Sequence, residues 1–163
     1  IPGSRVLDLF SGTGVMGLEL LSQGAMECAF VENSKSSVKT IRENIRRAKI
    51  FFEKQGVEPP LLSVVFQDVN SYLSKNKGGW DIVWADPPYD QAAHWVEVIC
   101  KAQAFRKNSL ILAMELPLRA VEECKILDSQ WHLIKFKKYG STVLKIWEYR
   151  SILTQKEVFD ANK

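Results

Sequence analysis

The stretch RVLDLFSGTG, residues 5–14, joins a short apolar run to a glycine-rich turn. Residues 15–23 follow with apolar side chains at helical spacing, and Gly24 ends that segment. The three parts predict a β-strand, a tight turn and a helix. This strand-turn-helix unit is the building block of α/β proteins, and it makes an α/β fold the first expectation.

The same alternation continues along the chain. Further strands are predicted at residues 28–31, 62–66, 81–85 and 110–114, and further helices at residues 35–55 with Ser34 as N-cap, 69–75 and 92–104. Strands that alternate with helices pair in parallel through right-handed crossovers, with helices on both faces of the sheet. The pattern therefore predicts a doubly wound parallel sheet.

The end of the chain departs from this alternation. Two β-rich runs, residues 131–139 and 142–149, are separated only by Gly140-Ser141, and such a short gap requires an antiparallel hairpin. A parallel sheet that ends in an antiparallel hairpin is more typical of the methyltransferase variant of the Rossmann-like fold than of the dinucleotide-binding variant. We expect one domain at residues 1–150 and a polar C-terminal tail at residues 151–163.

Composition limits the other possibilities. The chain has 163 residues, a net charge of +3 and three widely spaced cysteines, so we expect neither a disulfide framework nor a metal site. No apolar run is long enough to cross a membrane, and a monomer in the reducing cytoplasm is expected. Because the chain starts at Ile1-Pro2-Gly3 without Met, directly before a strand, we also expect the native protein to have residues upstream.

Four acids lie in or directly after the predicted parallel strands: Asp8 in the first, and Glu32, Asp68 and Asp86 after the second, third and fourth. Ligands of open α/β sheets bind beyond the carboxyl ends of the strands. The glycine pattern at residues 12–17 also matches a dinucleotide fingerprint, but no Lys or Arg lies near it to meet a pyrophosphate. S-adenosylmethionine carries a sulfonium and an ammonium, both of which carboxylates stabilise, so these acids favour the methyl donor.

Each acid receives a predicted role. Asp8 positions the loop and the ammonium, Glu32 accepts both ribose hydroxyls, and Asp68 accepts the adenine amino hydrogen; Gly12 and Gly14 let the backbone approach the cofactor. The alternatives are a solvated loop acid for Glu32 and a helix N-cap for Asp68. The predicted cofactor site comprises Asp8, Phe10, Ser11, Gly12, Gly14, Glu32, Asn33, Asp68, Val69 and Asp86.

The predicted catalytic site is Asp86-Pro87-Pro88-Tyr89, directly after the strand at residues 81–85. The Asp86 carboxylate and the Pro87 carbonyl can each accept one N–H of an amino group conjugated with a base, which orients the nitrogen lone pair. The prolines stiffen the loop, and Tyr89 offers a face on which a base can stack. The pattern predicts methylation of an exocyclic amino nitrogen; the alternative is a structural Pro-Pro turn with a packed Tyr.

These motifs resemble the bacterial RsmD-like methyltransferases, which modify guanine N2 of 16S rRNA. The similarity lies in LDLFSGTG at 7–14, GLE at 17–19, SQGA at 22–25, Val31-Glu32, Asn44, VWADPPY at 83–89 and KYGST at 138–142. It implies a seven-stranded class I methyltransferase fold, S-adenosylmethionine as cofactor, and 16S rRNA or an assembling small ribosomal subunit as partner. It also implies a basic segment ahead of the first strand, which this chain lacks.

Two basic clusters are candidates for RNA contact. They are Arg42, Arg46, Arg47 and Lys49 in the long helix, and Lys135, Lys137 and Lys138 in the hairpin. The alternative is a solvated helix face and edge-strand lysines that discourage aggregation.

Other functions stay open on the sequence. Adenine-N6 DNA methylation and protein-glutamine methylation use a similar loop, although Asp86 favours a nucleobase and a short chain leaves little room for a DNA recognition region. A dinucleotide-binding oxidoreductase and a non-catalytic RNA-binding module are the alternatives from other classes.

Overall fold

In a computed structural model, residues 1–75, 79–102, 109–124, 126 and 128–151 are described, and they form one seven-stranded sheet in the order β3-β2-β1-β4-β5-β7-β6. The strands are β1 Arg5–Leu9, β2 Glu27–Glu32, β3 Leu61–Phe66, β4 Ile82–Ala85, β5 Ser109–Pro117, β6 Trp131–Tyr139 and β7 Thr142–Arg150. The helices are α1 Val15–Ser22, α2 Lys35–Lys54, α3 Val69–Lys75 and α4 Ala92–Lys101.

The predicted parallel sheet is confirmed. The first strand, β1, pairs in parallel with β2 on one side and β4 on the other, and β3 and β5 extend the sheet in parallel. All five carboxyl ends therefore lie along one edge of the sheet. The reversal of strand order between β1 and β4 creates the crevice in which such folds bind ligands.

The predicted hairpin is also confirmed. Strand β7 lies between β5 and β6 and is antiparallel to both, so β6 runs in the same direction as the five parallel strands and forms an edge of the sheet. The turn lies at Gly140, whose φ of 56° favours glycine. The predicted tail begins at Ser151, and residues 152–163 lie outside the described residues.

Helices cover both faces, as the alternation predicted. Helices α1 and α2 pack with Val6, Cys28 and Phe30, whereas α3 and α4 pack on the opposite face of the sheet. That second face carries a larger core of fully buried side chains, including Leu112 and Met114. Among the described residues, no helix combines the length and hydropathy needed to cross a bilayer.

Two element boundaries differ by more than one residue from the sequence-based expectation. Strand β5 continues to Pro117, three residues beyond the predicted end at Met114, because β7 pairs with it along its whole length. Helix α4 ends at Lys101, and the remainder of the predicted helix at residues 103 and 104 lies outside the described residues.

Candidate cofactor and substrate site

The carboxyl ends of β1 to β4 surround a cavity of about 420 Å³, a volume in the range of small-molecule sites. Its lining residues are Phe10, Val31, Glu32, Asn33, Gln67, Val69, Asp86, Pro87, Pro88 and Tyr89. The structure thus brings half of the predicted cofactor residues, five of the ten, and the whole predicted catalytic loop to one cavity. Of the predicted residues, Asp8, Ser11, Gly12, Gly14 and Asp68 lie outside this lining.

The loop after β1 is a compact turn. Gly12 and Gly14 have φ values of 54° and 77°, a left-handed conformation in which any Cβ would be strained. The Ser11 hydroxyl donates to the Asp8 carbonyl oxygen at 2.6 Å, and the Gly14 N–H donates to the Ser11 carbonyl oxygen at 2.7 Å. Glycines and a buried serine therefore build the loop, although only Phe10 of this group lines the cavity.

Phe10 is the one non-glycine residue with positive φ, 58°, in the described part of the chain. Its ring packs edge-on against Trp95 of α4, with the ring centroids 4.8 Å apart. Left-handed backbone at a bulky residue costs about 1–3 kcal/mol and persists where surrounding contacts hold it, often at functional sites. The contact with Trp95 supplies such a constraint, and it holds Phe10 at the wall of the cavity.

Asp8 lies beneath the loop and is 1% exposed. Its Oδ2 accepts a hydrogen bond from the Gly17 N–H at 3.0 Å, in the first turns of α1. The pKa of Asp8 is raised to about 7: burial raises it most, the Gly17 hydrogen bond lowers it, and the nearby charges of Asp86 and Glu32 also raise it. Asp8 therefore joins β1 to α1, and its role in positioning the ammonium stays a prediction.

Glu32 connects two loops through both of its carboxylate oxygens. Oε2 accepts from the Gly12 N–H at 2.8 Å, and Oε1 accepts from the N–H groups of Asn33 and Ser34 at 2.8 and 2.7 Å. The side chain is 9% exposed and lines the cavity, so Glu32 is not the solvated loop acid of the alternative interpretation. By the usual count of two lone pairs per carboxylate oxygen, Oε1 is fully used and Oε2 retains one lone pair that can accept a ligand hydroxyl.

Asp68 has the geometry of a helix N-cap, which is the alternative interpretation of this residue. Its Oδ1 accepts from the Ser71 N–H at 2.9 Å, which caps α3, and the bonds from Ser71 lower the pKa of Asp68. The neighbours Gln67 and Val69 line the cavity, whereas Asp68 is exposed beside it. The role of Asp68 in adenine binding stays a prediction.

The loop after β4 forms the opposite wall of the cavity. Asp86 is exposed there and accepts no hydrogen bond from a described residue, while Tyr89 donates its hydroxyl to Glu115 Oε1 at 3.2 Å. Partial desolvation raises the pKa of Asp86, and the negative charge of Glu115 raises it further. The Asp86 carboxylate thus remains available to an incoming donor.

Sequence reasoning missed Val31, Gln67 and Glu115. Val31 and Gln67 sit at the ends of β2 and β3, so a search of every strand end, and not only of the acids, would have found them. Glu115 had no such signal because it lies inside β5, in a run that is otherwise apolar, and only the contact with Tyr89 reveals it.

Residues 1–148 match the model of the family described as Conserved hypothetical protein 95. This chain belongs to that family. The RsmD-like resemblance is thereby confirmed, because relatives include proteins named Ribosomal RNA small subunit methyltransferase D.

Two such relatives show how much of a relative's length this chain covers. The Buchnera aphidicola protein is 28% identical over 84% of this chain and 66% of its own length. The Haemophilus influenzae protein is 26% identical over 89% of this chain and 72% of its own. The chain therefore spans about two thirds of the length of these relatives.

Solved structures support the fold of this family member. A Haemophilus influenzae protein described as a methylase superposes with a TM-score of 0.73 at 22% identity, covering 93% of this chain and 89% of that one. A protein described as a methyltransferase and solved with S-adenosylhomocysteine gives a TM-score of 0.67 at 16% identity, covering 90% and 45%. The fold is the Rossmann-like class I methyltransferase fold.

Proposed function

We propose that this chain is an S-adenosylmethionine-dependent methyltransferase that acts on an exocyclic amino group of a nucleobase, guanine N2 of 16S rRNA. The observation that supports this most strongly is that Glu32 and the loop Asp86 to Tyr89 line one cavity from the two strands on either side of β1. One wall suits the cofactor and the other suits a flat amino-bearing substrate.

The cavity fits the proposed cofactor in charge. Its described lining contains the two carboxylates Glu32 and Asp86 and no Lys or Arg. A dinucleotide would bring an anionic pyrophosphate into this acidic site, whereas S-adenosylmethionine brings positive charge and no phosphate. Glu32 would accept a ribose hydroxyl through Oε2, Val69 would pack against the adenine, and Asp8 would hold the loop that faces the methionine part.

The loop after β4 orients the substrate nitrogen. The Asp86 carboxylate and the Pro87 carbonyl each accept one N–H, so the nitrogen lone pair points toward the cofactor side of the cavity. Bound there, S-adenosylmethionine supplies an electrophilic methyl group. Methyl transfer would form an N–C bond to the amino nitrogen as the donor's C–S bond breaks and its electron pair stays on sulfur. The Asp86 carboxylate would stabilise the positive charge that develops on nitrogen until the extra proton is lost to solvent.

Tyr89 provides the stacking surface for the base. Its side chain is 41% exposed, and its hydroxyl is held by Glu115, so the ring is both accessible and oriented. An extruded base gains about 1–3 kcal/mol from such a contact. A structural Pro-Pro turn would instead bury the tyrosine.

The rRNA substrate is supported by the relatives named Ribosomal RNA small subunit methyltransferase D. The chain spans about two thirds of the length of these relatives. We propose that its partner is the small ribosomal subunit. The proposed enzyme is a cytoplasmic monomer that needs no metal.

The cofactor is tested by calorimetric titration of the purified chain with S-adenosylhomocysteine, with NAD as the parallel titration. We expect saturable binding of S-adenosylhomocysteine alone. Binding of NAD alone would show a dinucleotide site and end the proposal.

The substrate is tested by transfer of labelled methyl groups to four acceptors: small ribosomal subunits from cells without the endogenous modification, their free 16S rRNA, duplex DNA and total protein. Nuclease mapping of labelled RNA should give N2-methylguanine. Label in N6-methyladenine of DNA, or in a protein glutamine, would establish one of the alternative acceptors instead. Cofactor binding with no transfer to any acceptor would indicate a non-catalytic module.

A further inference from the structure

Of the two basic clusters, the hairpin cluster is the one aligned with the site. Strand registers show this directly: Ala85, the last residue of β4, pairs with Met114 of β5, so Glu115 is level with Asp86. Glu115 pairs with Leu144 of β7, and Leu144 pairs with Lys137 of β6. One transverse row of the sheet therefore runs from the proposed catalytic acid to Lys137.

The length of this row follows from strand spacing. Lys137 is three strands from Asp86, and neighbouring strands lie about 4.8 Å apart, which gives roughly 14 Å between the two backbone positions. A few nucleotides of single-stranded RNA span that distance. A base held at Asp86 would thus leave the flanking backbone within reach of β6.

The face of the sheet distinguishes the three lysines. Residues directly opposite in a ladder point to the same face, so Lys137 shares its face with Glu115, which contacts Tyr89. Lys135 lies two residues before Lys137 and points the same way. Lys138 points to the other face, because its partner is the fully buried Val143.

Lys135 and Lys137 are exposed, and neither takes part in an ion pair with a described residue. The Lys137 ammonium lies 4.8 Å from the ring centroid of Tyr139, which is half exposed at the end of β6 nearest the site. A cation beside an exposed aromatic ring suits a nucleic-acid strand, because phosphate can bind the cation and a base can stack on the ring.

Two members of the α2 cluster differ from Lys135 and Lys137 in their ion pairs. Arg46 and Arg47 both pair with Glu43, at 2.8 and 3.0 Å, so part of their charge is neutralised. Helix α2 begins at the site edge of the sheet and runs away from it, and Arg46 lies 11 residues after Lys35, about 17 Å along the axis. Arg46 and Arg47 therefore carry partly neutralised charge, whereas Lys135 and Lys137 form no ion pair with a described residue.

We propose that Lys135 and Lys137 bind phosphates of the RNA strand that flanks the target base, and that this row of β6 forms part of the RNA path to the site. The inference rests on the proposed function, because it takes an RNA base at Asp86 as its starting point. The edge-strand alternative, in which the lysines only discourage pairing with another chain, predicts no difference between the two faces.

The test compares Lys135→Gln/Lys137→Gln with the matched control Lys138→Gln, in the same strand and with the same loss of charge per residue. Binding of a fluorescein-labelled, mixed-sequence single-stranded RNA is measured by anisotropy over a range of salt concentrations. Loss of two phosphate contacts should reduce the slope of log K against log salt by about 1.4 and weaken binding roughly tenfold near physiological salt. The Lys138 control should change neither quantity appreciably.

Three further readouts separate the outcomes. S-adenosylhomocysteine affinity should not change, the KM for small subunits should rise with kcat retained, and gel filtration should show an unchanged oligomeric state. Three results would overturn the RNA path without affecting the proposed enzyme activity. They are an unchanged salt slope in the double variant, an equal effect per lysine in the Lys138→Gln control, and self-association of the double variant without loss of RNA affinity. A wild-type chain that binds the cofactor but methylates only protein or DNA would instead remove the proposed function.

Discussion

The two loops that face the cavity differ in how far the protein itself satisfies their polar groups. The loop after β1 is held before any ligand arrives, because the Gly12 N–H donates to Glu32 of β2 and the Gly17 N–H of α1 donates to buried Asp8 of β1. In the loop after β4, Asp86 is exposed and accepts no hydrogen bond from a described residue. The comparison suggests a prebuilt cofactor wall and a substrate wall whose acceptor is left for the ligand.

The largest expected effect is on methyl transfer, and it distinguishes the role of Asp86 from that of the residues proposed to bind the cofactor. Asp86→Ala should reduce methyl transfer by about 10²–10³-fold, the usual cost of removing one group that stabilises transition-state charge. The affinity for S-adenosylhomocysteine should change little, because the β1 loop and Glu32 remain. Radiometric transfer and calorimetry measure the two quantities, with Asp90→Ala, an exposed acid in the following turn, as control. A fully active Asp86→Ala enzyme would refute the proposed mechanism.

The second prediction concerns Asp8, which is buried beneath the loop after β1, and the pH dependence that it gives to the stability of the protein. Because burial raises the pKa of Asp8 to about 7, the folded state binds a proton more tightly than the unfolded chain does. The free energy of unfolding should therefore fall as pH rises from about 4 to about 7, by about 3 kcal/mol from this residue. Asp8→Asn should remove that loss, since Asn still accepts from Gly17 but does not titrate.

Urea unfolding at about pH 5 and about pH 8 measures this effect. The difference between the two pH values should be smaller in Asp8→Asn than in the wild type, and Asp90→Asn should behave as the wild type does. An equal pH dependence in Asp8→Asn would mean that Asp8 is ionised in the folded protein across this range.

The third prediction tests how tightly the cofactor wall is packed. A Cβ at Gly17 would lie 2.8 Å from Cys28 Sγ and 2.9 Å from Asp8 Oδ2, and would also overlap the Phe30 ring. Gly17→Ala should therefore lower the free energy of unfolding by about 1–3 kcal/mol and weaken S-adenosylhomocysteine binding. Val15→Ala, at an exposed position of the same helix, is the control in both measurements. A stabilised Gly17→Ala variant would show that α1 moves freely relative to β1.

The smallest expected effect lies in the substrate wall. The negative charge of Glu115 contributes to the raised pKa of Asp86, so Glu115→Gln should lower that pKa and move the acid limb of the kcat/KM profile to lower pH. Tyr89→Phe removes the hydroxyl contact but keeps the Glu115 charge, and it should leave the acid limb in place. Equal shifts in both variants would assign the effect to the contact rather than to the charge.

Much of the fold was predictable because its signals are local. The apolar run at residues 5–9, the glycines at 12 and 14, and the short gap at 140–141 each determine backbone geometry within a few residues. The β4 loop was equally visible, since four unusual residues follow a buried strand. The length of β5 was not, because pairing with β7 extends it beyond its own apolar run.

The candidate site was predictable in part. Strand-end acids pointed to the cavity because parallel strands bring their carboxyl ends to one edge, and Glu32 and Asp86 do line it. Asp68 has the same sequence signal, yet its carboxylate caps α3 beside the cavity. Orientation of a side chain at the end of a strand depends on the following turn, and strand position alone does not specify it.

By itself, the sequence determined the succession of strands and helices along the chain, the antiparallel end of the sheet and the residues of the β4 loop. It could do so because periodicity and turn chemistry act over short distances along the chain. Only the tertiary structure decided the burial of Asp8, the contact between Tyr89 and Glu115, and the alignment of Lys137 with Asp86. Each of these depends on strand register or packing between residues far apart in sequence, and the charges and distances that govern chemistry at the site arise there.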